Sequence, residues 1–390
     1  MKILQIIPSV SLVYGGPSQM VVGLSSALAR SGVQVTILTT DANGDAGQAP
    51  LPVPLGVPVE QDGYDIIYFR CSPFRRYKFS IDLLMWLWRN VDRYDVVHIH
   101  ALFSPVTSLA ATIVRTKGLP YILRPLGTLD PADLQKKRRI KQLYAHVLER
   151  PNLAGAAALH FTSDQEAKVS ERFGTQCMDW IYPLGVQLPP AVRSVAETKA
   201  ALNLPSDRPI LLFMSRIDPK KGLDLLIPAL EKLSQTTPFH FVLAGGNPQD
   251  SGYEAQIRLR IQSSPLNDRT TITGFVSGNL KTELLQIADL FLLPSYYENF
   301  GISVAESMSV GTPVIISNQV HIWQQIEQSE SGWICECTAD SVFNTIQVAL
   351  KDHQELRYRG LQAQGYARKH YSWEAIATQL CQRYQEVIGS

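Results

Sequence analysis

Two doubly wound α/β domains of Rossmann type are the fold this sequence predicts, on three observations. Short β-branched and leucine-rich runs alternate with helical patterns along the chain, the rhythm of parallel strands joined by crossover helices. At 390 residues the chain exceeds one ordinary core and suits two. A polar stretch from Val186 to Pro209, holding Leu188-Pro189-Pro190 and Pro205, interrupts the rhythm midway. The expected organisation is therefore 1–188, a linker 189–209, a second domain 210–372 and a terminal helix 373–390.

In the first domain, strands are expected at 2–7, 33–39, 65–69, 95–99, 121–123, 157–161 and 179–182. The first is apolar but far too short for a secretory signal. Met20, Leu24, Ala27 and Leu28 recur at i, i+4, i+7 and i+8, which specifies one face of a helix. Ser163-x-x-Glu166 reads as a capping box opening another. Strands resume at 210–214, 239–243, 270–273, 289–293 and 313–316. The pattern 373–388, with Trp373, Ile376, Ala377, Leu380, Tyr384 and Ile388, is an amphipathic helix. No repeat of 20–50 residues stands out.

Composition narrows the function. An apolar share of 45% with 18% charged residues is that of a globular protein. A net charge of +1 argues against nucleic acid as a partner held by a strong global field. Five irregularly spaced cysteines suit a reducing compartment, and Cys335-Glu336-Cys337 lacks the second ligand pair of a metal site. No apolar stretch approaches bilayer length, so the expected location is the cytoplasm.

The densest motif is Tyr296-Tyr297-Glu298-Asn299-Phe300-Gly301-Ile302-Ser303-Val304-Ala305-Glu306, after the apolar run Leu290–Leu293. It places Glu298 in a strand-to-helix loop and Glu306 one or two turns into the helix. Such a loop offers amides to phosphate at a helix start and carboxylates to sugar hydroxyls. Arg216 and Lys221, in Ser215-Arg216-Ile217-Asp218-Pro219-Lys220-Lys221-Gly222, also follow a strand, and can converge on one diphosphate. Gly15-Gly16-Pro17 follows the first strand and opens a helix, as a close-approach glycine turn or simply a flexible one. It is not G-x-G-x-x-G, which disfavours a nicotinamide cofactor. Paired glutamates could also serve a glycosidase, but that chemistry has no need of an Arg/Lys clamp.

The segment from Pro294 to Glu306 resembles the donor-site signature of the retaining GT-B glycosyltransferases of family four, and the likeness extends along most of the chain. It implies two domains facing a cleft, with the terminal helix packed back on the first. Glu306 would hold the ribose hydroxyls and Glu298 those of the transferred sugar, with Asn299 and the amides of Phe300, Gly301 and Ile302 in support. Gly16, with Gly15, would approach the donor diphosphate; Arg216 and Lys221 would bind it; Gly245, Phe275 and Val276 would lie on the nucleoside loops. Arg216, Lys221 and Glu298 are then the catalytic candidates, through positioning and leaving-group stabilisation. The implied donor is a UDP- or GDP-linked sugar, with no permanent cofactor and no metal, and the chain has no Asp-x-Asp to hold one. A glycolipid or saccharide acceptor is implied.

The match strains at one place. Where many relatives place a His or Arg, before Gly127, this chain has Leu126. His100, from His98-Ile99-His100, or Arg124 are the acceptor-side candidates for that contact; the two histidines fit a buried polar pair equally well. Lys136-Lys137-Arg138-Arg139-Ile140-Lys141, ahead of Leu143, Tyr144, Val147 and Leu148, reads either as a stripe for an anionic membrane or as a solvated helix face. A sugar-nucleotide epimerase, or a non-catalytic sugar-nucleotide-binding subunit, stands as the alternative function.

Overall fold

The computed structural model describes residues 1–44, 48–72, 77–134, 142–247 and 250–389. They form two compact units, Met1–Gly185 with Trp373–Ser390, and Val186–Ser372.

Among the described residues the first unit has eight strands: β1 Lys2–Ser9, β2 Gln34–Thr40, β3 Pro58–Gln61, β4 Tyr64–Phe69, β5 Val96–His100, β6 Tyr121–Arg124, β7 Ala158–Phe161 and β8 Asp179–Ile181. They lie in the order β3-β4-β2-β1-β5-β6-β7-β8. Every pairing is parallel except β3 with β4. The order runs outward in both directions from β1 and β5, so the topological switch point lies between them. The hairpin partner β3 was not expected, although Asp62-Gly63 between two extended runs is a turn signal, and both residues have positive φ (48° and 85°).

Helix α1, Gly16–Arg30, turns the expected stripe inward: Met20, Leu24, Ala27 and Leu28 are all buried. Helix α2 spans Ile81–Asn90 and α3 spans Pro105–Thr116. Leu83 and Leu87 of α2 and Val106, Ala110 and Val114 of α3 join Leu4, Ile6, Val97 and Ile99 of the sheet in one core. Ser163 does cap the helix Asp164–Val169, accepting from the Glu166 amide. The Glu166 carboxylate does not close the capping box. It accepts instead from Thr162 and from the Gly127 amide, bracing the turn at Leu126 and Gly127, where both residues have positive φ.

The terminal helix, Trp373–Ile388, buries Trp373, Ile376, Ala377, Leu380 and Tyr384. Its indole occupies space that two glycines leave open. A Cβ on Gly23 of α1 would come within 2.5 Å of Trp373 Nε1, and one on Gly185 within 2.2 Å of Trp373 Cδ2.

The second unit has β9 Ile210–Met214, β10 His240–Ala244, β11 Thr270–Gly274, β12 Leu290–Leu293, β13 Val314–Ser317 and β14 Gly332–Cys335, in the order β11-β10-β9-β12-β13-β14. All pairings are parallel, and the switch point falls between β9 and β12. Of these, β14 is only four residues long and was not anticipated. Residues 186–209 are not bare connection. Ser194 and Glu197 form a full capping box on the helix Val195–Ala201. The buried Glu283 carboxylate takes the amides of Val192 and Arg193 and the Arg193 guanidinium.

Candidate functional site

Lys221 and Glu298 come from loops that leave the two strands flanking the second switch point, β9 and β12. That topology brings together side chains 77 positions apart, and the Lys221 ammonium bonds Glu298 Oε2 directly. Burial alone would raise the Glu298 carboxyl. The neighbouring charges of Lys221 and Arg216 and the Phe300 amide outweigh it and hold the group below its ordinary value. Arg216 itself is exposed at the same edge. The loops are laced together by backbone: the Tyr296 amide donates to Lys220 O (2.8 Å) and the His321 amide to Glu298 O (2.9 Å).

Gly301 caps the helix Ile302–Ser309 in a left-handed conformation, and the opening turn presents its amides beside Glu298. One turn further on, Glu306 is buried and bonds the Lys281 ammonium, from the helix Gly278–Ile287. Burial raises the Glu306 carboxyl and Lys281 only partly offsets it. Lys281 was missed in the sequence, where nothing marks it. Phe300 is buried, its ring 5.3 Å from that of Tyr371.

Gly245 follows β10 at φ 142°, where a Cβ would sit 1.9 Å from Ser215 O; only glycine lets the two loops touch there. Its amide donates to Gly274 O (2.7 Å), beside the exposed ring of Phe275 and the buried Val276. Arg216, Lys221, Gly245, Phe275, Val276, Glu298, Asn299, Phe300, Gly301, Ile302 and Glu306 thus all follow the carboxyl ends of β9 to β12, in one unit. The chemistry on offer is anion binding by Arg216, Lys221 and a helix start, with two carboxylates for hydroxyl groups.

Over residues 194–366 the chain matches the family model described as glycosyl transferases group 1, and over 15–176 that of a glycosyl transferase 4-like domain. It is 32% identical to the alpha-D-kanosaminyltransferase of Streptomyces kanamyceticus, across 78% of this chain and 82% of that one. The chain belongs to the group 1 glycosyl transferases. It is also 24% identical to the phosphatidyl-myo-inositol mannosyltransferase of Mycobacterium leprae, over 100% of this chain and 98% of that one. Among solved structures, Anabaena Alr3699/HepE, crystallised with UDP and glucose, superposes with a TM-score of 0.76 at 18% identity, covering 99% of this chain and 100% of that one. The fold of this group 1 glycosyltransferase is accordingly of the GT-B type.

In the first unit, Gly15 and Gly16 stand at the start of α1, with Gly15 at φ 72°. His100 and Arg124 lie inside that unit rather than at an open edge. His98 stacks on His100 with ring centres 4.4 Å apart, and His100 Nε2 pairs with Gln5 Oε1 at 2.6 Å. Arg124 Nη1 reaches Met20 Sδ of α1, and burial pushes the guanidinium down to about 10. Alternation does send both histidines to one face, and that face is covered by α1 and the terminal helix. The basic run Lys136–Lys141 lies outside the described residues. No helix among the described residues is long and apolar enough to cross a membrane.

Proposed function

We propose that this glycosyltransferase moves a sugar from a UDP- or GDP-linked donor to a hydroxyl acceptor with retention of anomeric configuration and without a metal ion. The observation that carries the reading is the Lys221–Glu298 pair at the switch point of the second sheet, beside the opening turn of Ile302–Ser309. In that arrangement Lys221 and Arg216 take the diphosphate, the helix start adds its positive end, and the leaving charge is neutralised without a metal ion. Glu306 takes the ribose hydroxyls. Glu298, ionised beside its two cations, accepts hydroxyl groups of the transferred sugar. HepE crystallised with UDP supports a uridine donor, and the mannosyltransferase of M. leprae supports a glycolipid acceptor.

The test is direct. The purified enzyme, treated with EDTA, is given UDP-glucose, GDP-mannose and an acceptor panel, and the product anomer is read by NMR. An α-linked product from an α-linked donor, formed at an undiminished rate, is expected. A β-linked product would refute retention, and loss of rate restored by Mg²⁺ would refute metal independence. Tight donor binding with neither transfer nor slow donor hydrolysis would favour the non-catalytic alternative.

A further inference from the structure

The amino ends of β1, β2 and β4 border a cavity. About 470 Å³ is walled by the first residues of those strands, by the β3–β4 hairpin, and by Arg93 and Tyr94. The volume lies within the roughly 300–1,000 Å³ of small-molecule sites. Substrates of open α/β sheets bind at the other end, outside the strands' carboxyl ends, so a ligand here stands apart from the substrates of the first sheet.

We infer that this cavity holds a neutral saccharide, its hydroxyls shared among Lys2, Arg93, Glu60 and Asp65 and a ring face against Tyr94. Three observations carry it. The first is a change of chemistry along one face of the sheet. Alternation puts Leu4, Leu38 and Ile67 on the face that joins the core. On that same face the strands begin with Lys2, Gln34, Thr36 and Asp65, and Lys2 pairs in register with Gln34 and Thr36 with Asp65. The core therefore stops one layer short, and the polar row lines the cavity instead. The second is the hairpin. Strand β3 exposes Pro58, Glu60 and Gln61 of its four residues, so apolar burial does not account for the one antiparallel pairing of this sheet. Its turn supplies Glu60 and Gly63 to the wall. The third is the inventory of polar groups. Two cations face two carboxylates in one lining, yet among the described residues none of the four closes an ion pair. The Tyr64 hydroxyl, of another lining residue, is buried with no hydrogen-bond partner. A lining of zero net charge suits neither an anion nor a cation. A sugar hydroxyl both donates and accepts, and so uses carboxylates and cations together. Tyr94, half-buried with its hydroxyl bonded to Thr36, adds the aromatic surface.

Ligand-observed NMR and calorimetry on the full-length protein test this with methyl α-D-glucopyranoside, methyl α-D-mannopyranoside and maltose. Glycine and inorganic phosphate serve as the zwitterionic and anionic controls. At least one saccharide is expected to bind with a dissociation constant on the order of 1 mM, the range of a ligand of that size. Neither control should displace it. Arg93→Gln combined with Asp65→Asn should weaken that binding roughly tenfold or more, the worth of one charge-assisted contact or more, while UDP affinity and the rate of transfer stay unchanged. No saturable saccharide binding, binding that survives the double substitution, or displacement by glycine or phosphate would overturn the inference. Should the double variant lose UDP affinity as well, Arg93→Gln alone, a change at an exposed residue, decides on the same criterion. Absence of transfer with saccharide binding intact would count against the transferase reading and leave this site standing.

Discussion

The Tyr384 hydroxyl lies 2.6 Å from His98 Nδ1, joining the terminal helix to β5 across 286 positions of sequence. Around that contact, His98, His100 and His160 share one enclosed space with Arg124. Burial, then the charge of the other members, holds all three imidazoles well below 6.5.

Acid should therefore destabilise the first unit. These groups are neutral when folded and take up protons in the unfolded chain from about pH 6.5 downward. Their contribution is complete above that pH and is lost as pH falls below it, with a slope of up to roughly 1.4 kcal/mol per pH unit for each histidine. Urea midpoints between pH 8 and 5 measure this. His160→Asn should flatten the slope, and an equal slope in that variant would remove the histidines as its cause.

Trp373→Ala should cost the first unit about 3–5 kcal/mol, because the cavity between Gly23 and Gly185 is bounded by backbone that cannot close. Chemical denaturation followed by a probe in that unit tests it. A loss under 1 kcal/mol would show that the glycine pocket collapses.

Lys221→Met should weaken donor binding roughly 10- to 150-fold, the worth of one charge-assisted contact. Glu298→Gln keeps the size of the side chain and removes its charge, so it should lower kcat for transfer more than it lowers nucleotide affinity. Calorimetry with UDP and steady-state kinetics separate the two. Unchanged UDP binding in Lys221→Met would mean the lysine serves only its glutamate.

For Lys281→Met the expected signature is a new pH dependence. Burial already raises Glu306, and the lysine is what opposes it. Without that cation the carboxyl protonates closer to neutrality, so donor affinity should fall as pH is lowered from 8 to 6, more steeply than in the wild type. Parallel pH profiles would disconnect Lys281 from nucleotide binding.

What could be read from the sequence was whatever local periodicity and loop motifs carry. Arg216, Lys221, Glu298 and Glu306 each lie in a short strand–loop–helix segment, so their placement at strand ends was legible residue by residue. Lys281 was not, because its partner is 25 positions away on a different helix and only the packing of those helices pairs them. For His98 and His100, a period of two establishes a shared face but not which face, and the covering elements come from both ends of the chain. Glu166 had the right spacing for a capping box, yet the Gly127 turn competed for its carboxylate and won.

The discontinuity of the first unit has a kinetic meaning. Its residues up to Gly185 leave the ribosome without the helix that seats Trp373 and Tyr384, while Val186–Ser372 is still being made. At ordinary synthesis rates that interval lasts roughly 10–40 s, long against the folding of a single domain. The unit begun earliest thus waits incomplete throughout the making of the other, and is finished last, when its own end returns.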